Sequence, residues 1–73
     1  MISSLATRLK ELRLLHNLSQ KALGDKVGLS MQAINNIERE YRSTTAEKLI
    51  KLADYFNVSV DYLLGRTDDP KRY

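Results

Sequence analysis

Side-chain amides are concentrated in one stretch of the chain, residues 18–38, which reads LSQKALGDKVGLSMQAINNIE. Gln32, Asn35 and Asn36 fall within two helical turns of one another, away from the apolar positions of the same helical pattern. A carboxamide both donates and accepts hydrogen bonds, so a row of amides on an exposed helix suits the edges of nucleic-acid bases. Each amide alone is a common solvated residue, and only the whole pattern favours base contact. The side chains predicted to read bases are Met31, Gln32, Asn35 and Asn36.

Two short helical patterns, about 20–27 and about 30–39, position these amides on either side of a tight Gly28-Leu29-Ser30 turn. Gly28 can adopt the left-handed conformation that ends a helix, and Ser30 can cap the amides of the next one. Together the two patterns predict a helix-turn-helix. Ser19 caps the first helix, which places Gln20 beside free amides and a positive dipole end that attract phosphate.

Three further helices complete the predicted fold, an all-α, compact five-helix bundle. The N-terminal helix starts after Ser3 or Ser4 and runs to His16, with Leu5, Leu9, Leu12 and His16 along one face. Thr44 and Glu47 read as a capping box that opens the fourth, and Ser59 caps a short fifth helix. Residues 1–65 are predicted to form the DNA-binding domain, and residues 66–73 a flexible C-terminal tail or the start of a linker. Gly24, inside the second helix, indicates either close approach of the third helix or a plain surface position.

Composition narrows the class of protein. The 73 residues contain no cysteine and have a net charge of +3, concentrated in residues 1–53, which hold nine Lys/Arg against five Asp/Glu. A basic balance of this kind has the sign expected for phosphate contact, although many soluble domains reach +3 without binding nucleic acid. We find no apolar run long enough to span a bilayer and no signal-peptide pattern, so we expect a soluble, cytoplasmic protein without membrane contact.

Catalysis is not indicated. The chain has one histidine, no glycine-rich phosphate loop and no pair of carboxylates in an obvious cleft. Histidines, phosphate-binding loops and paired carboxylates are the features from which most active sites are built. We therefore predict a protein that is not an enzyme and needs no cofactor or metal.

The chain resembles the Cro and phage-repressor (XRE) family of helix-turn-helix DNA-binding proteins over roughly residues 5–65. Three stretches carry the resemblance in the family's order and spacing: LSQKALGDKVGLS, INNIERE and KLADYFNVSVDYLLG. The resemblance implies a transcriptional regulator, most simply a repressor, that binds a double-stranded operator with an inverted repeat.

Residue roles follow from the same resemblance. It implies that Gln20 holds a phosphate and that Arg13 pairs with Glu38. It also implies a homodimer built around helix five. The phosphate candidates are Ser19, Gln20, Ser30, Arg39 and Arg42, and the interface candidates are Val58, Val60 and Tyr62.

A rival interpretation uses the same fold as a protein-interaction module, such as an antitoxin or adaptor. Its partner would dock on exposed apolar side chains, for which Leu14, Leu15, Tyr55 and Tyr62 are candidates. The sequence also leaves open whether the chain is a whole protein or the DNA-binding part of a longer one.

Overall fold

Five helices make up the part of the chain that the computed structural model describes, residues 4–39 and 44–72. They are α1 (Leu5–Leu15), α2 (Gln20–Val27), α3 (Met31–Glu38), α4 (Ala46–Phe56) and α5 (Val60–Leu63). These residues include no strand, which confirms the predicted all-α class. Among them, no helix has both the length and the apolar character that a membrane span needs.

Every one of these helices starts at a hydroxyl side chain that accepts a hydrogen bond from the backbone three residues later. Such caps satisfy one of the otherwise unpaired amides of the first turn. The prediction for α4 was wrong by one residue. Thr45 has extended backbone angles and accepts from the Lys48 amide at 3.3 Å, so the helix begins after Thr45 and not after Thr44. Glu47 then lies at the second helical position, too early to close a capping box. The caps are Ser4, Ser19, Ser30, Thr45 and Ser59.

The core takes one fully buried aliphatic side chain from each helix, in chain order Leu9, Leu23, Ile34, Leu52 and Leu63. Burying one such side chain contributes about 1.5–3 kcal/mol to folding. Helix α3 packs against both α1 and α2, while α4 packs against α2 and α5. Helix α3 is therefore held from two sides, and its remaining face is exposed to solvent.

Residues 66–72, the segment predicted as a flexible tail or linker, make hydrogen bonds to the helices. The Arg8 guanidinium donates to the backbone oxygens of Tyr62 and Thr67, at 3.2 and 3.3 Å, and lies 3.9 Å from the centre of the Tyr62 ring. The Ser59 amide donates to the Pro70 oxygen at 3.1 Å. Arg8 is only 4% exposed, so its donors depend on these partners. The domain boundary after Gly65 stays a prediction.

Gly24 is buried against the turn that follows its own helix. A Cβ built at this position would lie 2.5 Å from the Leu29 backbone oxygen, so even a methyl group requires the turn to move. The neighbour is thus the backbone of the turn rather than α3 itself, which corrects the predicted close approach of that helix. Gly24 is also buried, so the surface interpretation is wrong.

We expect Gly24→Val to lower the free energy of unfolding by about 1–3 kcal/mol, because it forces a branched side chain against a fixed backbone oxygen. Lys26→Val is the comparison variant, because it places valine at an exposed position of the same helix. Helix propensity alone would make Gly24→Val the more stable of the two, since valine replaces glycine there and lysine in the control. Urea unfolding of both variants measures the difference, and a higher midpoint for Gly24→Val would mean that the turn adapts without loss.

Candidate nucleic-acid interface

The turn between α2 and α3 fixes how the two helices meet. Gly28 has φ = 73°, the left-handed conformation that a side chain disfavours. The Leu29 amide donates to the Gly24 oxygen at 2.9 Å, and the Leu29 side chain packs against the core. Ser30 then accepts from the Ala33 amide at 3.0 Å and starts α3. The sequence thus builds a short turn whose hydrogen bonds, caps and core contact set the orientation of α3 relative to α2.

The outer face of α3 carries three of the four side chains predicted to read bases. Met31 is 53% exposed, and Gln32 is exposed beside it. Gln32 donates from Nε2 to Oδ1 of the half-buried Asn36 at 2.9 Å, across one helical turn. The bond holds the two amides side by side and leaves the Gln32 oxygen and the Asn36 amino group without a partner in this pair. That is the paired donor and acceptor arrangement that an adenine edge accepts.

The N-terminal ends of α2 and α3 carry three of the five predicted phosphate contacts, Ser19, Gln20 and Ser30. Ser19 and Ser30 each use the hydroxyl oxygen to accept a backbone amide, which leaves the hydroxyl proton to donate outward. Gln20 is the first residue of α2 and is half buried. Arg39 is the exposed residue that ends α3. Arg42 lies outside the described residues.

Beneath this surface, Arg13 of α1 and Glu38 of α3 form a buried ion pair with two parallel hydrogen bonds. Arg13 donates from Nε to Glu38 Oε2 at 2.7 Å and from Nη2 to Oε1 at 3.0 Å. A third donor reaches the Leu18 oxygen at 2.8 Å. The side chains of Arg13 and Glu38 are 10% and 4% exposed. Hydrogen bonding to Glu38 raises the pKa of Arg13 against the opposing effect of burial, so the guanidinium stays charged.

The same carboxylate is linked to two of the residues predicted to contact DNA. Glu38 Oε1 accepts from Gln20 Nε2 at 3.3 Å, and Gln20 Oε1 accepts from Asn35 Nδ2 at 3.2 Å. Asn35, predicted as a base reader, is therefore half buried and bonded to a phosphate candidate. The structure joins these residues in one network with Arg13, a connection that the sequence did not suggest.

The chain is similar in sequence to known helix-turn-helix proteins. Residues 9–63 match the family described as helix-turn-helix. The chain is 41% identical over 63 residues to the HTH-type transcriptional regulator YobD of Bacillus subtilis (strain 168), covering 86% of this chain and 56% of that protein. It is 39% identical over 69 residues to the HTH-type transcriptional regulator ImmR of the same strain, covering 94% and 54%.

The chain belongs to the helix-turn-helix family of Cro and phage-repressor (XRE) type. A crystal structure of the P22 c2 repressor protein in complex with a synthetic operator matches with a TM-score of 0.79 and 34% identity, covering 85% of this chain and 94% of that one. The N-terminal DNA-binding domain of SinR from Bacillus subtilis matches with a TM-score of 0.76 and 27% identity, covering 81% and 87%. This XRE chain spans about half the length of YobD and ImmR.

Helix α5 and its approach contain the residues predicted to form a dimer interface. Val58 is 5% exposed and belongs to the protomer's own core. Burial leaves it little surface to offer a second subunit. Val60 and Tyr62 are partly buried and pack against the same core, and one face of the Tyr62 ring is covered by Arg8. Of the three candidates in this XRE chain, Val60 and Tyr62 retain exposed area.

Sequence reasoning missed the buried Arg8 and the link from Glu38 to Gln20. A signal for Arg8 was present, because it follows Leu5 by three residues and precedes Leu12 by four, within the apolar stripe of α1. No local signal marks the Glu38–Gln20 contact, which joins residues 18 positions apart.

Proposed function

We propose that this chain is the DNA-binding domain of a transcriptional regulator, a repressor, that inserts α3 into the major groove of duplex DNA. The observation that carries the proposal is the paired amide face of Gln32 and Asn36 on α3, held by a rigid turn and flanked by two capped helix N-termini. Amides read bases, while N-terminal amides and hydroxyls hold phosphates. The domain acts by binding rather than by catalysis, on operator DNA in the cytoplasm.

Relatives support the same role. The XRE family comprises DNA-binding transcription regulators, and one structural neighbour is a repressor bound to its operator. The names of the relatives favour DNA binding over the protein-interaction alternative. That alternative would rely on exposed apolar side chains such as Leu14 and Leu15, which are 55% and 76% exposed. Exposed leucines of this kind are also common on surfaces without partners.

The domain acts as a homodimer on an inverted repeat, with Val60 and Tyr62 near the two-fold axis. Two copies of this motif sit on one side of the duplex, with half-site centres about 10–10.5 bp apart, roughly 34–36 Å. Each short chain offers only a small contact area, so dimer formation depends on the shared DNA.

Selection of bound sequences from a random duplex pool tests this function. We expect an inverted repeat with that spacing, two chains per duplex, and affinity that falls steeply as salt rises. Mass measurement of the complex gives the stoichiometry, and a scrambled duplex of equal length is the control. One chain bound to a site without symmetry would contradict the dimer. Equal affinity for selected and scrambled duplexes would contradict sequence-specific binding.

A further inference from the structure

A relay of hydrogen bonds connects the buried ion pair with the outer face of the helix-turn-helix. It passes from Glu38 on α3 to Gln20 on α2 and back to Asn35 on α3, through contacts of 3.3 and 3.2 Å. Glu38 and Asn35 do not bond to each other in this relay, and Gln20 bonds to both and links them. Because Arg13 holds both Glu38 oxygens, the carboxylate cannot rotate away from Gln20 without breaking the ion pair.

The chemistry of the first member fixes the orientation of the other two. An ionised carboxylate only accepts hydrogen bonds, so the end of the Gln20 amide that faces it must be the amino group. The Gln20 oxygen then points towards Asn35, which must in turn present its own amino group. Reversing either amide would place oxygen against oxygen or N–H against N–H. The orientation of the Asn35 amide is therefore set by a residue that it does not contact.

We infer that Glu38 is a specificity-determining positioning residue, which acts through Gln20 to fix the Asn35 oxygen as the outward acceptor on α3. The inference rests on the proposed function. An outward oxygen seeks a donor in the major groove, and the donors there are the exocyclic amino groups of adenine and cytosine. Gln20 retains one N–H for a phosphate, because only one of its two amide protons is used by Glu38. The relay thus couples phosphate contact to the choice of base.

Glu38→Gln removes the acceptor-only group that fixes the orientation of the Gln20 and Asn35 amides. A glutamine at this position offers both an oxygen and an amino group, so the relay runs equally well either way and Asn35 presents either end outward. We expect the preference for an amino group at one base pair to fall about five-fold, the value of one neutral hydrogen bond. Gln20→Leu breaks the relay at its middle and leaves the ion pair of Arg13 and Glu38 in place.

Side-chain amide NMR spectra of the free protein test the relay without DNA. We expect Glu38→Gln to shift the amide signals of both Gln20 and Asn35, while Gln20→Leu shifts those of Asn35 alone. The Gln32 amide bonds to Asn36 outside the relay and serves as the internal control. If Glu38→Gln does not fold, Gln20→Leu still decides whether Asn35 depends on its neighbour. An Asn35 signal that stays unchanged in a folded relay variant would overturn the inference.

Binding to the selected site and to single base-pair changes of it tests the role in specificity. We expect Glu38→Gln to alter preference at one base pair, and to add nothing further in a Gln20→Leu background. Leu49→Ala is the stability control, because it loosens packing on the core without touching the relay and should leave base preference intact. If Glu38→Gln binds the selected site specifically and its base preference is unchanged, the inference about Glu38 is overturned while the proposed function stands. Absence of any duplex binding would overturn the proposed function and the specificity role together, whatever the spectra show.

Discussion

Glu38→Ala is expected to lower the free energy of unfolding by about 3–5 kcal/mol, because it leaves the charged Arg13 guanidinium buried without its partner. The side chains of Glu38 and Arg13 are 4% and 10% exposed, so water does not replace the lost bonds. Only the Leu18 oxygen remains for the guanidinium. A domain of this size has about 3–5 kcal/mol from its core to begin with, so the variant should be near its unfolding limit at room temperature.

Thermal and urea unfolding measure this change, and the chain contains its own control. Lys21 and Asp25 form an exposed pair one turn apart on α2, at 3.0 Å, with side chains 72% and 67% exposed. Lys21→Ala should lower stability by less than about 0.5 kcal/mol, since exposed helical pairs contribute little. A melting temperature of Glu38→Ala that matches Lys21→Ala would show that the Arg13–Glu38 pair contributes no stability.

Replacing both partners distinguishes the cost of a buried unpaired charge from the loss of the attraction between the two charges. Arg13→Met with Glu38→Leu removes both charges and fills similar volume, and buried pairs replaced in this way often lose little stability. We therefore expect the double variant to be more stable than Glu38→Ala. Its amide relay is broken all the same, because Gln20 loses its acceptor.

The helix-turn-helix could be predicted from sequence because its decisive features are local. Ser19, Gly28 and Ser30 each act within three or four residues of themselves, through a cap or a left-handed backbone angle. The Ser19 cap and the Gly28 turn, together with the apolar pattern between them, located α2 at its observed bounds. The same local reasoning misplaced the start of α4, where two adjacent threonines are equally good caps and only the tertiary path of the chain chooses Thr45.

Contacts between distant residues set the rest, and sequence reasoning could not reach them. Arg8 bonds to residues 54 and 59 positions away, and this burial depends on where α5 and the following segment lie. Val58 was predicted as a dimer-interface candidate, yet after the left-handed turn at Asn57, with φ = 55°, it lies in the protomer's own core. The amides of α3 were identified as a group, but which of them bond to one another depends on the position of α2.

Gln32→Ala and Asn36→Ala should each weaken binding to the selected site by about 1–3 kcal/mol while leaving affinity for scrambled duplex nearly unchanged. Both residues lie on the outer face of α3, where side chains can enter the major groove, and neither carries a charge for nonspecific attraction. Arg39→Ala is the matched comparison, because Arg39 is exposed and is predicted to contact phosphate. Its loss should weaken binding to both duplexes alike and reduce the salt slope by about one unit.

The bond between the two amides makes a further result of this experiment predictable. Gln32 donates to Asn36 at 2.9 Å, so removing either residue also frees the other to rotate away from its base. We therefore expect the Gln32→Ala, Asn36→Ala double variant to lose less specific affinity than the sum of the single losses. Titrations of all four proteins on the selected and scrambled duplexes at several salt concentrations measure the coupling. Additive losses would mean that the two amides read DNA independently, and equal losses on both duplexes would mean that α3 does not read the sequence at all.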